Sequence, residues 1–370
     1  MHRGLLDRVL VAVVGVAIIA GAPFVQFGKA ASLTTAGGWR IVSSPPVAGG
    51  ELVGVSALNA SDAWAVGSRA ANGVFAPLAL HWNGSAWQSV SISGPTDFNQ
   101  LRAVSAVSPT DAWTVGVTGQ WEALIEHWNG SSWVQVPSPV SGWETPLYGV
   151  KAFAANDVWA VGEDGARGLV LHFDGNAWTS VPVPEPAGNE LTFFGDVDGT
   201  SGSDVWIAGA SYTDSQQPLV EHFDGSSWTI VPSPPTGDDY AYVRGLDVRT
   251  SSDVWMVGDS LGPAPNYEEH PLIQHRSGEI WTAHNARGGE PWGVAALSPS
   301  DVWVVGNQPS ARGVYMTMIE HWNGMSWSLV PSASSMADSE LNDVVALPNG
   351  MVWAVGSLGD KPLIELNPSG

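Results

Sequence analysis

Six of the nine histidines recur along the chain 45 to 53 residues apart. Neutral imidazole is a common metal ligand, so the count alone is compatible with a metal cluster. Each of these histidines, however, belongs to a different copy of the internal repeat described below, and Leu366 takes the position in the last copy. We therefore expect each imidazole to bond a turn or neighbouring strand, and we expect no metal and no cofactor. The six are His81, His127, His172, His222, His275 and His321.

Carboxylates and arginines are the other side chains that could do chemistry. The chain has no P-loop and no His-Glu-x-x-His motif, so hydrolysis of glycosides by a carboxylate pair is the reaction to consider. Asp198 and Asp247 are the candidate catalytic carboxylates for it. A propeller-type copper-radical oxidase would need a cysteine-linked tyrosine, and there is no cysteine.

The composition excludes several classes of partner. The 370 residues contain 14 Lys and Arg against 36 Asp and Glu, a formal charge of −22. Nucleic acids and anionic lipids are bound by clustered Lys and Arg, so neither is an expected partner. Without cysteine, the fold must be held by packing alone. The unusual number is 20 tryptophans.

The tryptophans show that the chain is a sevenfold repeat. A motif of the form Asp157-Val-Trp-Ala-Val-Gly162 recurs, with its Trp 46 to 50 residues from the next, and a second motif of the form His172-Phe-Asp-Gly-Asn-Ala-Trp178 follows it in most copies. Repeats of this length with several short strands are typical of propeller blades. The first set of tryptophans is Trp64, Trp113, Trp159, Trp206, Trp255, Trp303 and Trp353.

One repeat predicts a four-stranded blade, with strand a over 101–107, strand b over 113–116, strand c over 123–128 and strand d over 133–136. The last repeat lacks strand d, whereas the segment 39–46 is a strand d with no blade before it. The sequence therefore predicts an all-β, seven-bladed β-propeller whose N-terminal strand completes the last blade and closes the ring.

These repeats resemble those of a group of secreted bacterial propellers with Asp-Val-Trp-Ala-Val-Gly and His-x-Asp-Gly-x-x-Trp signatures. They are more distantly similar to tectonin repeats and to the Asp-box repeats of sialidases, although Asp174 stands four residues before Trp178 and an Asp box has five. The resemblance covers about 39–370 and implies the fold, but it implies no particular activity.

Positions that differ between repeats are the candidates for binding. The b–c and d–a connections vary in length, and both open on one face of the disc, which we call the variable face. Strand a also varies about eleven residues before each strand-b Trp, where its side chains should ring the mouth of the central channel. The candidate ligand-binding residues are Arg102, Tyr148, Phe194, Arg244, Trp292 and Asn342 at the mouth, with Trp121, Trp143 and Tyr240 on the connections.

The N-terminus has the pattern of a targeting segment. Arg3 and Arg8 precede an apolar run over 9–22, and Gly28-Lys29-Ala30 offers a cleavage point. The alternative is an uncleaved anchor, since 9–27 is nearly long enough to span a membrane. We expect residues 1–30 to be a signal peptide or anchor, 31–38 a linker and 39–370 one propeller, located outside the cell or on its outer surface.

Two functions from different classes remain open. The first is a non-enzymatic binding module, monomeric, that recognises a carbohydrate or an extracellular protein through its variable face. The alternative is an extracellular glycoside hydrolase or lyase with its site at the channel mouth. A purely structural cell-surface module is a third reading. One-sided loop variation and the lack of a known catalytic set favour the first.

Overall fold

The computed structural model describes residues 38–71, 73–92, 99–310, 313–334 and 338–369. Within these ranges the chain forms seven four-stranded antiparallel sheets, each following the previous one in sequence, and no helix. The innermost strands of neighbouring sheets contact one another all the way round. The protein is therefore the seven-bladed β-propeller that the repeats predicted.

The strands of the first four blades follow chain order after the N-terminal β1 (Arg40–Ile41). Blade 1 contains β2 (Gly50–Asn59), β3 (Asp62–Ala71), β4 (Val74–Trp82) and β5 (Trp87–Val90), and blade 2 contains β6 (Gln100–Ser108), β7 (Asp111–Val117), β8 (Ala123–Trp128) and β9 (Trp133–Gln135). Blade 3 contains β10 (Leu147–Ala154), β11 (Asp157–Asp164), β12 (Arg167–Phe173) and β13 (Trp178–Ser180), and blade 4 contains β14 (Leu191–Ser201), β15 (Asp204–Tyr212), β16 (Gln216–Phe223) and β17 (Trp228–Ile230).

The remaining three blades have the same order, and the last one contains only three strands of its own. Blade 5 contains β18 (Tyr240–Thr250), β19 (Asp253–Leu261), β20 (Glu269–Ser277) and β21 (Ile280–His284). Blade 6 contains β22 (Glu290–Ser298), β23 (Asp301–Pro309), β24 (Tyr315–Trp322) and β25 (Trp327–Leu329), and blade 7 contains β26 (Ser339–Ala346), β27 (Val352–Leu358) and β28 (Lys361–Asn367).

The N-terminal strand closes the ring. In β1, Arg40 pairs with Leu366 and Ile41 with Glu365, so β1 becomes the outer strand of blade 7. Trp39 is fully buried and meets Trp303 of blade 6 edge-to-face, with ring centres 5.5 Å apart. The predicted closure is confirmed, although the paired segment is shorter than the predicted one.

Tryptophans hold the blades together. In most blades the Trp that begins the outer strand packs edge-to-face on the strand-b Trp of the blade before it, as Trp133 does on Trp64 at 5.0 Å between ring centres. Both rings are at least 98% buried. A cysteine-free chain thus replaces cross-links with aromatic contacts between blades.

The recurring histidines belong to the scaffold. In each of six blades the imidazole Nε2 donates to the Asp that begins strand b, for example His127 to Asp111 at 2.9 Å. The same ring stacks on the strand-b Trp, with 4.3 Å between the centres of His127 and Trp113. In blade 7, where Leu366 replaces the histidine, Met351 replaces the aspartate. Histidine and aspartate are therefore exchanged together for two apolar residues.

The predicted targeting segment lies outside the described residues. No helix among the residues that the structure describes is long and apolar enough to cross a membrane.

Candidate functional site at the channel mouth

Every innermost strand carries a β-bulge at the same place. In all seven blades the pairing between strands a and b skips one residue, eleven positions before the strand-b Trp. A bulge bends its strand and re-aims the extra side chain, which is why bulges are frequent beside functional sites. The bulge residues are Val53, Arg102, Tyr148, Gly195, Arg244, Trp292 and Asn342.

Phe194 is a correction to the predicted mouth. It stands twelve residues before Trp206, one place before the bulge residue Gly195. Because side chains alternate along a strand, this single step turns the ring into the blade interior. Phe194 is fully buried in the core with Trp159 and Val161. It is a packing residue, and blade 4 contributes no side chain at the bulge.

Three of the predicted residues belong to one network across blades 7, 1, 2 and 3. The Asn342 amide donates to Glu51 Oε1 at 3.2 Å and to the Leu52 carbonyl at 2.8 Å. The Arg102 guanidinium donates to Gln100 Oε1 at 2.7 Å and lies close enough to Glu51 and to the Tyr148 phenol to lower the pKa of both groups against the larger effect of burial. These side chains are mutually oriented before any ligand arrives.

The next member of this network is an acid–phenol pair. The Tyr148 hydroxyl donates to Glu163 Oε1 at 2.7 Å. Burial, and then the neighbouring Glu163, raise the pKa of Tyr148. Burial raises the pKa of Glu163 to about 7, and burial together with the nearby Glu340 raises the pKa of Glu51 to about 7. Near neutral pH the mouth therefore contains carboxyls that can either donate or accept a hydrogen bond.

A second network joins blades 5 and 6. The Arg244 guanidinium lies over the Trp292 ring, with 4.2 Å from its central carbon to the ring centre, and its Nε donates to Asp259. The side chains of Arg244 and Asp259 are 16% and 9% exposed, so this ion pair is largely shielded from water. The two bulge residues of adjacent blades are thus held in one fixed contact.

An acidic pair borders this second network. Burial and the adjoining Glu269 raise the pKa of Glu290 to about 7. The charge of Glu290 in turn raises the pKa of Tyr315. Four of these residues were not predicted from the sequence as site residues: Glu290, Tyr315, Glu51 and Glu163. They lie near the ends of strands whose sequences are not unusual. Sequence spacing does encode the position of each bulge, so the one available signal would have located the bulge residues and not these neighbours.

The candidates on the connections are less enclosed. Trp121 has a left-handed backbone, with φ of 58°, and its carbonyl accepts the amide of Thr145 at 2.8 Å. Trp143 is 70% exposed. Tyr240 lies 6.3 Å from Tyr267 between ring centres. No described contact joins these three to the two networks at the mouth.

The two candidate catalytic carboxylates bind the blades to one another. Asp198 Oδ2 accepts the amide of Val248 at 2.6 Å, and its Oδ1 is paired with Lys151 at 2.5 Å. Ser105 performs the same task between blades 2 and 3, accepting the amide of Ala152 at 3.0 Å. Burial, and then the charge of Asp198, raise the pKa of Asp247 to about 7. Both carboxylates therefore occupy a position that joins neighbouring inner strands.

Within the described ranges no group of three or more His, Asp or Glu side chains is arranged to hold a metal ion. The recurring His–Asp pairs are separate, one to a blade.

Fold comparisons agree with this architecture. A structure of YCF48 bound to D1 peptide matches with a TM-score of 0.59 and 14% identity, over 90% of this chain and 98% of that one. YCF48 from Cyanidioschyzon merolae matches with a TM-score of 0.59 and 15% identity, over 90% and 99%. The GH74 xyloglucanase from Xanthomonas campestris matches with a TM-score of 0.59 and 13% identity, over 88% of this chain and 53% of the enzyme.

Identities this low show the fold alone, and the fold is that of seven-bladed β-propellers, which include binding proteins and glycoside hydrolases. No protein-family model and no curated protein matches the chain. The similarity of its repeat motifs to those of secreted bacterial propellers therefore stays an expectation.

Proposed function

We propose that this protein is a binding module that recognises a carbohydrate at the channel mouth on its variable face. One observation carries the proposal: the bulges present six side chains at equivalent positions of the ring, and five of them belong to two networks of fixed hydrogen bonds and charge contacts. Donor and acceptor groups that are already held in place suit the hydroxyl groups of a sugar, because little ordering is required on binding.

The chemical make-up of the mouth supports a polar, uncharged ligand. Each arginine has a carboxyl near it, Glu51 for Arg102 and Asp259 for Arg244. Because the pKa of Glu51 is raised to about 7, its carboxyl is partly protonated near neutral pH and can also donate a hydrogen bond to a neutral ligand. The exposed ring of Trp143 on the same face could add an aromatic surface for a longer glycan.

Hydrolysis is less well supported than binding. Asp198 and Asp247 are the carboxylates that sequence suggested for it, and Asp198 is already paired with Lys151 and with the amide of Val248. The carboxyls of Glu269 and Glu290 lie within hydrogen-bonding reach of each other. A glycosidase needs its two carboxyls about 5 to 9.5 Å apart, with the sugar between them. Two carboxyls within hydrogen-bonding reach of each other are too close for that arrangement.

A glycan array tests the proposal. We expect the full chain to bind a restricted set of glycans, and Arg244→Ala and Tyr148→Phe each to reduce that binding at least tenfold. Ser131→Ala, in a c–d turn on the opposite face, is the matched control and should bind as the unaltered chain does. Binding of no glycan would reject carbohydrate recognition, and captured peptides on a parallel peptide array would then assign the mouth to a protein partner. Release of sugars from any bound polysaccharide would identify an enzyme.

We also propose that the chain is exported, on the basis of its N-terminal sequence. After expression in a bacterial host, we expect the culture medium to contain a protein that begins at Ala31, as measured by intact mass. A full-length mass in the cytoplasm would contradict export, and a full-length mass in the membrane fraction would indicate an anchor.

A further inference from the structure

The repeat is broken at one position of blade 5. Three residues after the Trp of the outer strand, all six other blades have valine: Val42, Val90, Val136, Val181, Val231 and Val330. Blade 5 has His284, which pairs with Ile273 as Val90 pairs with Ala79. The next residue is Asn285, where four of those blades have proline. Since the scaffold uses valine here, the polar pair is not required by the fold.

His284 opens the contact between blades 5 and 6. Its imidazole lies between the two rings, 5.2 Å from Trp255 and 4.9 Å from Trp322 between ring centres. Trp255 and Trp322 are consequently 6.3 Å apart, whereas the equivalent pair of Trp64 and Trp128 is 5.0 Å apart. The Nε2 atom of His284 is buried and has no hydrogen-bond partner among the described residues.

A cavity of about 480 Å³ lies against this histidine. It is bordered by the c–d turn of blade 6, beside which Trp322 donates to the Pro299 carbonyl of the a–b turn, and by the start of the connection that follows the outer strand of blade 5. It therefore lies at the outer strands of the two blades and shares no residue with the channel mouth. The turn contains Met325, which is 85% exposed. The side chains that give the cavity its chemistry are His284, Asn285, Arg287, Trp322, Met325 and Trp327.

The cavity wall contains an arginine and no acidic residue, in a chain with 36 Asp and Glu. Glu320, which is not part of the wall, accepts the amides of Arg287 and Gly288 with its Oε1 at 2.6 and 3.2 Å, and its charge interacts with that of Arg287. Arg287 is itself oriented by a bond from Nε to the Trp327 carbonyl at 3.1 Å. Arginine, imidazole and amide donors together suit the carboxylate group of a ligand, and the tryptophan rings can pack against the rest of that ligand.

We propose that this cavity between blades 5 and 6 binds a small ligand through its carboxylate group, with His284 and Arg287 as the recognition residues. Two sources share this chemistry, an acidic sugar and the carboxylate end of a peptide. The inference does not depend on the proposed function of the channel mouth, because no residue is shared between the two sites.

Calorimetric titration of the full chain tests the proposal. The probes are glucuronate and N-acetylalanine, each compared with its uncharged counterpart, glucose or N-acetylalaninamide. We expect at least one acid to bind tenfold or more tightly than its counterpart, and the acid that binds identifies the source. The proposal would be overturned if neither acid bound with a dissociation constant below 10 mM, or if each acid bound no more tightly than its uncharged counterpart.

The repeat itself supplies variants that should fold. His284→Val restores the residue of the other blades, and Arg287→Ala introduces the residue of the equivalent position, Ala333. Each should weaken binding of the acid at least tenfold, whereas Arg167→Ala, which removes an exposed positive charge elsewhere, should not. Unchanged affinity in His284→Val would overturn the proposal. Arg244→Ala should leave this affinity unchanged, so failure here and failure at the channel mouth are distinguishable.

Discussion

Arg244 and Trp292 occupy the same bulge position in adjacent blades, and the guanidinium of the first covers the ring of the second at 4.2 Å. The ring face of Trp292 is therefore already occupied. A ligand at this part of the mouth would meet the edge of the Trp292 ring and the guanidinium nitrogens that Asp259 leaves free. The contact also ties blade 5 to blade 6 near the opening of the channel.

Arg244→Lys should destabilise the protein although it keeps the charge. A lysine cannot both stack on Trp292 and form the directed bond to Asp259, whose side chain is 9% exposed. We expect a loss of about 1 to 3 kcal/mol in the free energy of unfolding, measured in urea. Arg69→Lys, at an exposed arginine, is the control and should change it by less than about 0.5 kcal/mol. Equal stability of both variants would show that the contact is incidental.

The His–Asp pairs should behave as units. His127→Leu leaves the carboxylate of Asp111, 16% exposed, without its donor, and we expect a loss of about 1 to 3 kcal/mol. Adding Asp111→Met reproduces the pair of blade 7, Leu366 and Met351, and should recover part of that loss. The measurement is a double-mutant cycle in urea. Strictly additive effects would contradict the coupling of the two residues.

Closure of the ring should be the most sensitive feature of the fold. Trp39 is fully buried against Trp303, so Trp39→Ala should cost about 3 to 5 kcal/mol. Trp143→Ala removes the same side chain from a position that is 70% exposed and should change stability little. Thermal unfolding of the two variants makes the comparison, and equal melting temperatures would mean that the N-terminal strand does not hold the ring closed.

Stability should rise as the pH is lowered from 8 to 5. Burial raises the pKa of Glu51, Glu163, Glu290 and Asp247 to about 7. The folded state therefore binds more protons than the unfolded state between about pH 4.5 and 7, and the stability contributed by these groups is lost as the pH rises through 7. The melting temperature at pH 5, 6.5 and 8 measures this. Glu163→Gln should reduce the slope, and a melting temperature that increases with pH would contradict the assignment.

Most of the fold was predictable because the chain contains its own alignment. Positions that keep the same residue type in all seven copies of the motif are those that packing requires, and the other positions are free to vary. The spacing of the repeated positions therefore predicts the four-stranded blade, the closure by Trp39 and the structural role of the histidines. In blade 2, strand c was predicted at its observed bounds, Ala123–Trp128, while strands a and b extend one or two residues further at their ends.

The candidate site was less predictable, for two physical reasons. A one-residue error in register moves a side chain to the other side of its strand, which is why Phe194 is in the core and not at the mouth. Partners such as Glu51 for Asn342 and Glu163 for Tyr148 depend on contacts across blades or strands, which the spacing of a single repeat does not encode.

The most direct test of carbohydrate recognition is a crystal structure of the full chain with the glycan that binds most tightly on the array. The account predicts sugar density at the channel mouth, with hydroxyl groups bonded to Arg244 or Asp259 in one network, or to Arg102, Tyr148 or Glu163 in the other. Density on the face of the a–b and c–d turns, with an empty mouth, would contradict it.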